Sequence, residues 1–434
     1  MRDLRGQALE SKKTVSRKAQ LRESVRASQT PNQPSNQQSY SSHGADNKYN
    51  SGNCGKSTET VENDEKNSNI LGKSSDSWAV EIKDLIEEIK EKKRSTTQGR
   101  EKALSRYANN LMSRYAFEEI TGKSRELTPA LLKSIKGNVS EKEACNALLA
   151  ITLTVITIPS EINYDFVEQD LKRTYRDSKF SHVKAIAIYS LSAIAPYAGA
   201  SEFEINEIMD ELIDIVESDG NSIDAPDNAE VVVAACEAWG HLATFLDDLE
   251  SKTETVMDAF MEQLNSSDSN VQIAAGENIA LLYESSYTER EAEDGPASKI
   301  YDNEGFLIDS SRVKRYEVYK HKDQLLHTLT SLKNESSKHI AKRDRKNLHA
   351  SFSDIINTIE YPTRGPRFQN AINVETGNRY GSRMKIRVKN KASLDIDKWW
   401  KMFRLNALKE VLGGGFLVHF QQNNAIIDSI GFNN

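Results

Sequence analysis

Cysteine is scarce in this chain: 434 residues carry only Cys54, Cys145 and Cys236. An odd number without metal-type spacing excludes a disulfide framework and a cysteine-built zinc site, and it fits a reducing compartment. No apolar run is long enough to cross a bilayer, and the N-terminus lacks the apolar core of a secretory signal. The expectation is a soluble intracellular protein, cytoplasmic, with a nuclear pool left open. Catalytic signatures are missing too. There is no Gly-x-x-x-x-Gly-Lys-[Ser/Thr], no Gly-x-Ser-x-Gly and no His-Glu-x-x-His. The histidines are scattered, and His241 and His419 sit in apolar helical contexts where a packed imidazole is expected rather than a metal ligand. The acidic run 202–219 lacks the glycine punctuation of a calcium loop. These absences predict no enzyme activity, no cofactor, no metal, no small-molecule substrate and no membrane partner.

Cations are nearly absent from almost a quarter of the chain. Residues 201–300 hold 25 Asp/Glu and 3 Lys/Arg, a net of -22, whereas residues 312–409 hold 23 Lys/Arg and 9 Asp/Glu, a net of +14. The overall charge of -7 conceals this opposition. A basic half of this kind points to an anionic partner; the alternative is that the two halves pack on each other or are merely solvated.

Apolar residues are also few, at 38% of the chain, so part of it is expected to have no core. Residues 1–76, rich in Ser, Asn, Gln and Lys, are that part. Ordering each residue costs about 1–2 kcal/mol, and this tract has little to bury in return, so a disordered tail, basic at its start, is predicted. From Trp78 helical periodicity sets in and persists to about 285 with short loops. "SWAVEIKDLIEEIK" places Val80, Ile82, Leu85, Ile86 and Ile89 on roughly one face, and "SEKEACNALLAITLTVITIP" opens with a capping-box pattern, Ser140 to Glu143, and is apolar nearly all round. Consecutive helices of similar length cannot each bury a face alone, and stacking them in pairs predicts a mainly α, HEAT/armadillo-like α-solenoid over residues 77–360; a compact all-α bundle is the alternative. Within it, residues 286–311 form an acidic, turn-rich loop, followed by helices at about 315–333 and 338–360. Residues 361–434 are expected to form a small mixed C-terminal domain. Pro362 and Pro366 forbid a helix there, "SRMKIRVKNK" alternates as a half-buried strand, and an amphipathic helix ends at Gly413–Gly415, which supply C-cap geometry rather than a phosphate cradle. One more short helix or helix pair closes the chain.

The chemistry that is present lies in "SSKHIAKRDRKNLHASF", residues 336–352. On a helical wheel Lys338, Lys342, Arg345 and His349 share one stripe, widened by His339, Arg343 and Lys346. Ala341, Leu348, Phe352, Ile355 and Ile359 form the neighbouring apolar stripe. The segment is thus predicted to be fixed by one side and to hold a cationic ridge on the other, with Arg383, Lys385, Arg387 and Lys389 of the strand extending it. A rigid row of cations suits a nucleic-acid backbone, and the lack of nearby exposed aromatics favours folded RNA over stacked single strands. Internal pairing with the acidic helices is the alternative, but surface ion pairs are typically worth less than about 1 kcal/mol and do not call for so many cations.

Three stretches in order, "NVQIAAGENIALLYE" (270–284), "KHIAKRDRKNLHASFSDII" (338–356) and "LKEVLGGGFLVHFQQN" (408–423), resemble the interferon-related developmental regulator family. The resemblance covers roughly residues 78–432. Its motif positions fall on Ala274, Ala275, Gly276, Glu277, Ala280, Leu281 and Leu282; on Lys338, His339, Ala341, Lys342, Arg345, Lys346, Phe352 and Asp354; and on Lys409, Glu410, Val411, Leu412, Gly413, Gly415, His419 and Gln421. Arg343 and Leu348 depart from the animal pattern without removing the basic ridge. The resemblance implies a helical-repeat protein without enzyme activity, binding ribosomes, especially translationally inactive ones, through rRNA and ribosomal proteins. It also implies nuclear transcriptional co-regulation. Animal members are expected to continue past the closing motif into a basic tail; this sequence ends at Asn434, so no tail contact is carried over. The competing expectation is a protein-interaction scaffold, such as a nuclear co-regulator, that uses the solenoid's concave surface.

Overall fold

The computed structural model describes residues 77–91, 96–136, 140–159, 161–296, 311–334, 342–374, 377, 379–382, 384–386 and 394–431, and the expected N-terminal tail lies outside them. All of these residues belong to one compact unit. The chain is mainly helical, and its helices pack in sequence-neighbouring pairs. α1 (Ser77–Lys90) pairs with α2 (Thr97–Ser113); after the single turn α3 (Phe117–Ile120), α4 (Ser124–Lys136) pairs with α5 (Glu141–Thr157), and α6 (Tyr164–Asp177) with α7 (Ser181–Tyr197). α8 (Glu202–Glu217) pairs with α9 (Ala229–Ala243), α10 (Glu250–Gln263) with α11 (Ser269–Ser285), and α12 (Lys322–Lys333) with α13 (Lys342–Glu360). The second members form one row, α2, α5, α7, α9, α11, α13, each touching the next. This is the packing expected of stacked helical pairs, in which each repeat is completed by its neighbours.

The two rows differ in sequence for a physical reason. An outer helix such as α1 buries Ile82, Leu85, Ile86 and Ile89 along one stripe and leaves its other side wet. The inner helices α5, α7, α9 and α11 bury residues all round, as a helix covered on two sides must. Their second cover is the C-terminal helix α14 (Trp399–Leu412), which lies against α2, α5, α7, α9 and α11. It buries Trp399, Met402, Phe403, Leu405, Leu408, Val411 and Leu412. Gly240 on α9 makes room for it: a Cβ there would sit 2.2 Å from Phe403 Cε1. α14 ends at Gly413, whose φ of +48° favours glycine, and Gly415 passes so close to α2 that a Cβ would lie 1.7 Å from the Met112 carbonyl oxygen. The glycine run is therefore a cap and a close approach. α15 (Phe416–Gln422) and α16 (Asn424–Ser429) finish this layer, with His419 Nε2 2.8 Å from the Leu111 carbonyl and Asn423 Nδ2 donating to the Ile156 carbonyl at 2.8 Å. His241 is likewise buried, edge-on to Phe245.

Several local expectations change. Ser140 accepts from the Glu143 amide at 3.3 Å, but the Glu143 carboxylate turns to Arg100 at 2.9 Å, so only half of that capping box forms; complete boxes are found at Ser201 with Glu204 and at Glu291 with Asp294. The segment read as a loop at 286–311 contributes β1 (Tyr287–Glu289), antiparallel to β2 (Arg312–Lys314), with residues 297–310 outside the description. That pairing draws residues 312–315 into extended backbone, where Arg315 N donates to Ser286 O, and delays α12 to Lys322 instead of 315. β3 (Phe368–Ile372) pairs with β4 (Arg379–Ser382), and β5 (Lys385–Ile386) with β6 (Leu394–Asp395). The strand expected over 383–389 is described only at these two residues of β5.

Candidate nucleic-acid interface

α13 is held from three directions. Leu348, Phe352, Ile355 and Ile359 are buried, and the helix packs on α11 and α12. Gly276 of α11 permits the close contact, since a Cβ there would come within 2.8 Å of Ile355 and 3.2 Å of Phe352. Thr358 Oγ1 donates to the Arg364 carbonyl at 2.8 Å and accepts from Trp399 Nε1 at 2.7 Å, which ties α13 to α14. α14 is in turn fixed by Glu284, at the end of α11. Its buried carboxylate accepts from Trp399 N at 2.9 Å and Trp400 N at 3.2 Å, satisfying first-turn amides that a helix cannot pair internally.

From this anchored helix Arg343, Lys346 and His349 point outward and are exposed. Neither the Lys346 nor the His349 side chain meets an ion-pair partner among the described residues. Arg345 departs from the wheel reading. It is half-buried on the side of Leu348 and Phe352, with Nε enclosed and without a hydrogen bond, so it belongs with the anchor rather than the ridge. His349 faces outward as read, and the outward line among the described residues runs through Arg343, Lys346 and His349. Lys342 heads the helix, with its side chain outside the description, and Lys338 and His339 lie outside it entirely, as do Arg383, Arg387 and Lys389. Lys385 is exposed and paired with Asp395 at 3.0 Å, so it is partly neutralised. The acidic and basic halves do meet, but elsewhere. Arg315 pairs with Asp294 through two 2.9 Å contacts and reaches Glu291 at 3.6 Å, and Lys320 reaches Glu254 at 3.9 Å.

Sequence reasoning missed a set of carboxylates on the inner row. Burial raises Glu277 to about 8, reinforced by Glu237 and Asp354 and opposed by Arg367. Burial raises Glu237 to about 7, against the Tyr189 hydroxyl that donates to it at 2.6 Å, and Asp354 to about 6. For Glu237 and Glu277 the available signal was an acid at mid-helix among apolar residues; Asp354, on the charged helix α13, carried none. No group of metal-ligating side chains converges among the described residues.

Comparison with known proteins assigns a family. A family model for the interferon-related developmental regulators matches residues 50–360. The chain is 30% identical over 375 residues to an uncharacterized protein of Schizosaccharomyces pombe, covering 85% of this chain and 77% of that one. It is 24% identical over 363 residues to interferon-related developmental regulator 1 of Sus scrofa, covering 79% of this chain and 69% of that one. To the Homo sapiens protein of the same name it is 23% identical over 357 residues, covering 79% and 68%. The match spans the helical pairs and the ridge together, and the chain belongs to the interferon-related developmental regulator family.

Proposed function

We propose that this protein is a non-enzymatic ribosome-associated factor that contacts rRNA through α13 and is associated with translationally inactive ribosomes. The observation that carries the reading is a basic line, Arg343, Lys346 and His349, on a helix whose opposite side is locked into the core. A rigid row loses little entropy on meeting a phosphate backbone, and each contact releases counterions. The HEAT/armadillo-type stack is then the frame that fixes the row in space, and the described end of the β5 strand, Lys385, is a secondary contact. The site is cytoplasmic in this reading.

Sedimentation of extracts from starved cells through sucrose gradients at moderate salt tests the proposal. Co-migration with 80S particles is expected, together with loss of that migration in an Arg343→Glu, Lys346→Glu variant of unchanged thermal stability. Wild-type protein that remains at the top of the gradient refutes it.

A further inference from the structure

The ridge uses the basic half of the chain and leaves the acidic half without a role. Its centre is the outer helix α8. Every third or fourth residue along its outward side is exposed: Phe203, then Glu207, Asp210, Asp214 and Glu217. The adjacent outer helix α10 adds exposed Glu254, Asp258 and Glu262. Three cations approach this face. Lys252 pairs with Asp210, Lys172 lies 3.8 Å from Glu207, and Lys320 lies 3.9 Å from Glu254. Asp214, Glu217, Asp258 and Glu262 have no ion-pair partner among the described residues.

Stability does not account for this arrangement. Like charges three and four residues apart weaken a helix by about 0.2–0.5 kcal/mol per pair. Asp214 and Glu217 also stand in the last turn of α8, where the helix dipole favours cations, and no basic residue is there. At the other end of the stripe the side chain is aromatic. Phe203 is 77% exposed. Single exposed apolar residues are ordinary, but a phenylalanine in line with four exposed carboxylates on one helix face is a composite surface with a defined order.

We infer that the outer face of α8 and α10 is a docking surface for a Lys/Arg-rich peptide segment of a protein partner, headed by an apolar residue that packs on Phe203. From Phe203 to Glu217 the helix rises about 21 Å, the span of roughly six or seven extended residues. The partner segment therefore carries its cations within about seven residues of its apolar head. Charge complementarity chooses the occupant: an anionic nucleic acid is repelled here, and an uncharged apolar peptide leaves the carboxylates unused. This site is separate from the α13 ridge, and either stands if the other fails.

Fluorescence anisotropy with the full chain tests it, using a labelled peptide of two leucines followed by six arginines and a control with serines in place of the leucines. The leucine-headed peptide is expected to bind about tenfold tighter than the control, and Phe203→Ser is expected to remove that advantage. Asp214→Lys with Glu217→Lys is expected to weaken both peptides about tenfold or more. Those reversals place cations at a helix C-terminus, so an unchanged or raised melting temperature shows that lost binding is not lost folding. The inference is overturned if the reversals leave affinity within about twofold, or if both peptides bind alike to the wild-type chain. Ribosome co-sedimentation of the same variants, expected unchanged, separates this outcome from failure of the ridge.

Discussion

Replacing Glu284 by alanine gives a measurable estimate of how firmly the C-terminal layer is held. In the native chain its carboxylate takes two amide protons, from Trp399 at 2.9 Å and Trp400 at 3.2 Å, at the start of α14. Alanine leaves both amides without a partner, at about 1–3 kcal/mol for each one kept from water. It also removes a negative charge from a helix N-terminus, worth up to about 2 kcal/mol in partly buried geometry. One effect opposes these. The carboxylate is 2% exposed, and burial raises its proton affinity, so removing it relieves a desolvation cost. Losing one partner of a buried charged contact usually outweighs that relief, and a net loss of about 2–4 kcal/mol is expected. Glu284→Gln keeps one acceptor oxygen at the same place and is expected to lose about half as much. Urea unfolding followed by tryptophan fluorescence gives the global values, and hydrogen exchange at the Trp399 and Trp400 amides gives the local one. An alanine variant within about 0.5 kcal/mol of wild type, with unchanged exchange at those amides, refutes the capping role.

Stability is also expected to depend on pH through Glu277. Its folded value of about 8 lies above the ordinary carboxylate range, so between those values the folded chain holds a proton that the unfolded chain has released. Stability therefore falls as pH rises, by about 2 kcal/mol between pH 6.5 and 8, and denaturant midpoints across that window should lose most of this slope in Glu277→Gln. Below pH 6.5 the buried His241, held down to about 3, opposes the trend because only the unfolded chain takes up its proton. Gly415→Ala places a Cβ 1.7 Å from the Met112 carbonyl oxygen, and because that atom is backbone, a melting temperature lowered by several degrees is expected. Phe352→Ala empties a fully buried site under the ridge and is expected to cost about 3–5 kcal/mol in chemical denaturation, whereas His349→Ala, exposed on the same helix, should be neutral within about 0.5 kcal/mol.

The helical pairs were legible because their signal is local. The stripe of Ile82, Leu85, Ile86 and Ile89 needs no distant partner to be read as one buried face. The apolar stripe Leu348, Phe352, Ile355 and Ile359 was legible in the same way, and all four are buried. Arg345 was misplaced because a wheel cannot tell how far round the helix its neighbours reach; α11 and α12 together cover a wider arc than the apolar residues alone suggest. The short β1–β2 pair was missed because three-residue strands carry too little alternation, and their register rests on Tyr287 opposite Lys314, Thr288 opposite Val313 and Glu289 opposite Arg312, far apart in the chain. The Glu284 cap left a faint trace, an acid at the end of an apolar inner helix, but its partners are 115 and 116 residues away.

The inner helices were the clearest unused clue. A solenoid whose second row faces open solvent has amphipathic helices in that row, yet "ACNALLAITLTVIT" and "KAIAIYSLSAIA" are apolar on every side. Such sequences require a third layer, and α14 supplies it. This places the three family-like stretches in one arrangement. The first, on α11, carries Gly276, which admits α13, and Glu284, which caps α14. The second is α13 itself, whose Thr358, two residues beyond it, accepts from Trp399. The third ends α14 with the glycines that pass under Met112. The outward position of Lys346 and His349 is thus set by a chain of contacts running from α11 through α14 to α13. A variant that loosens α14 is therefore expected to blur the ridge without touching it. In the Glu284→Ala protein, ribosome co-sedimentation should fall at temperatures where the helical stack is still folded by far-UV circular dichroism, and if binding and unfolding are lost together the ridge does not depend on the C-terminal layer.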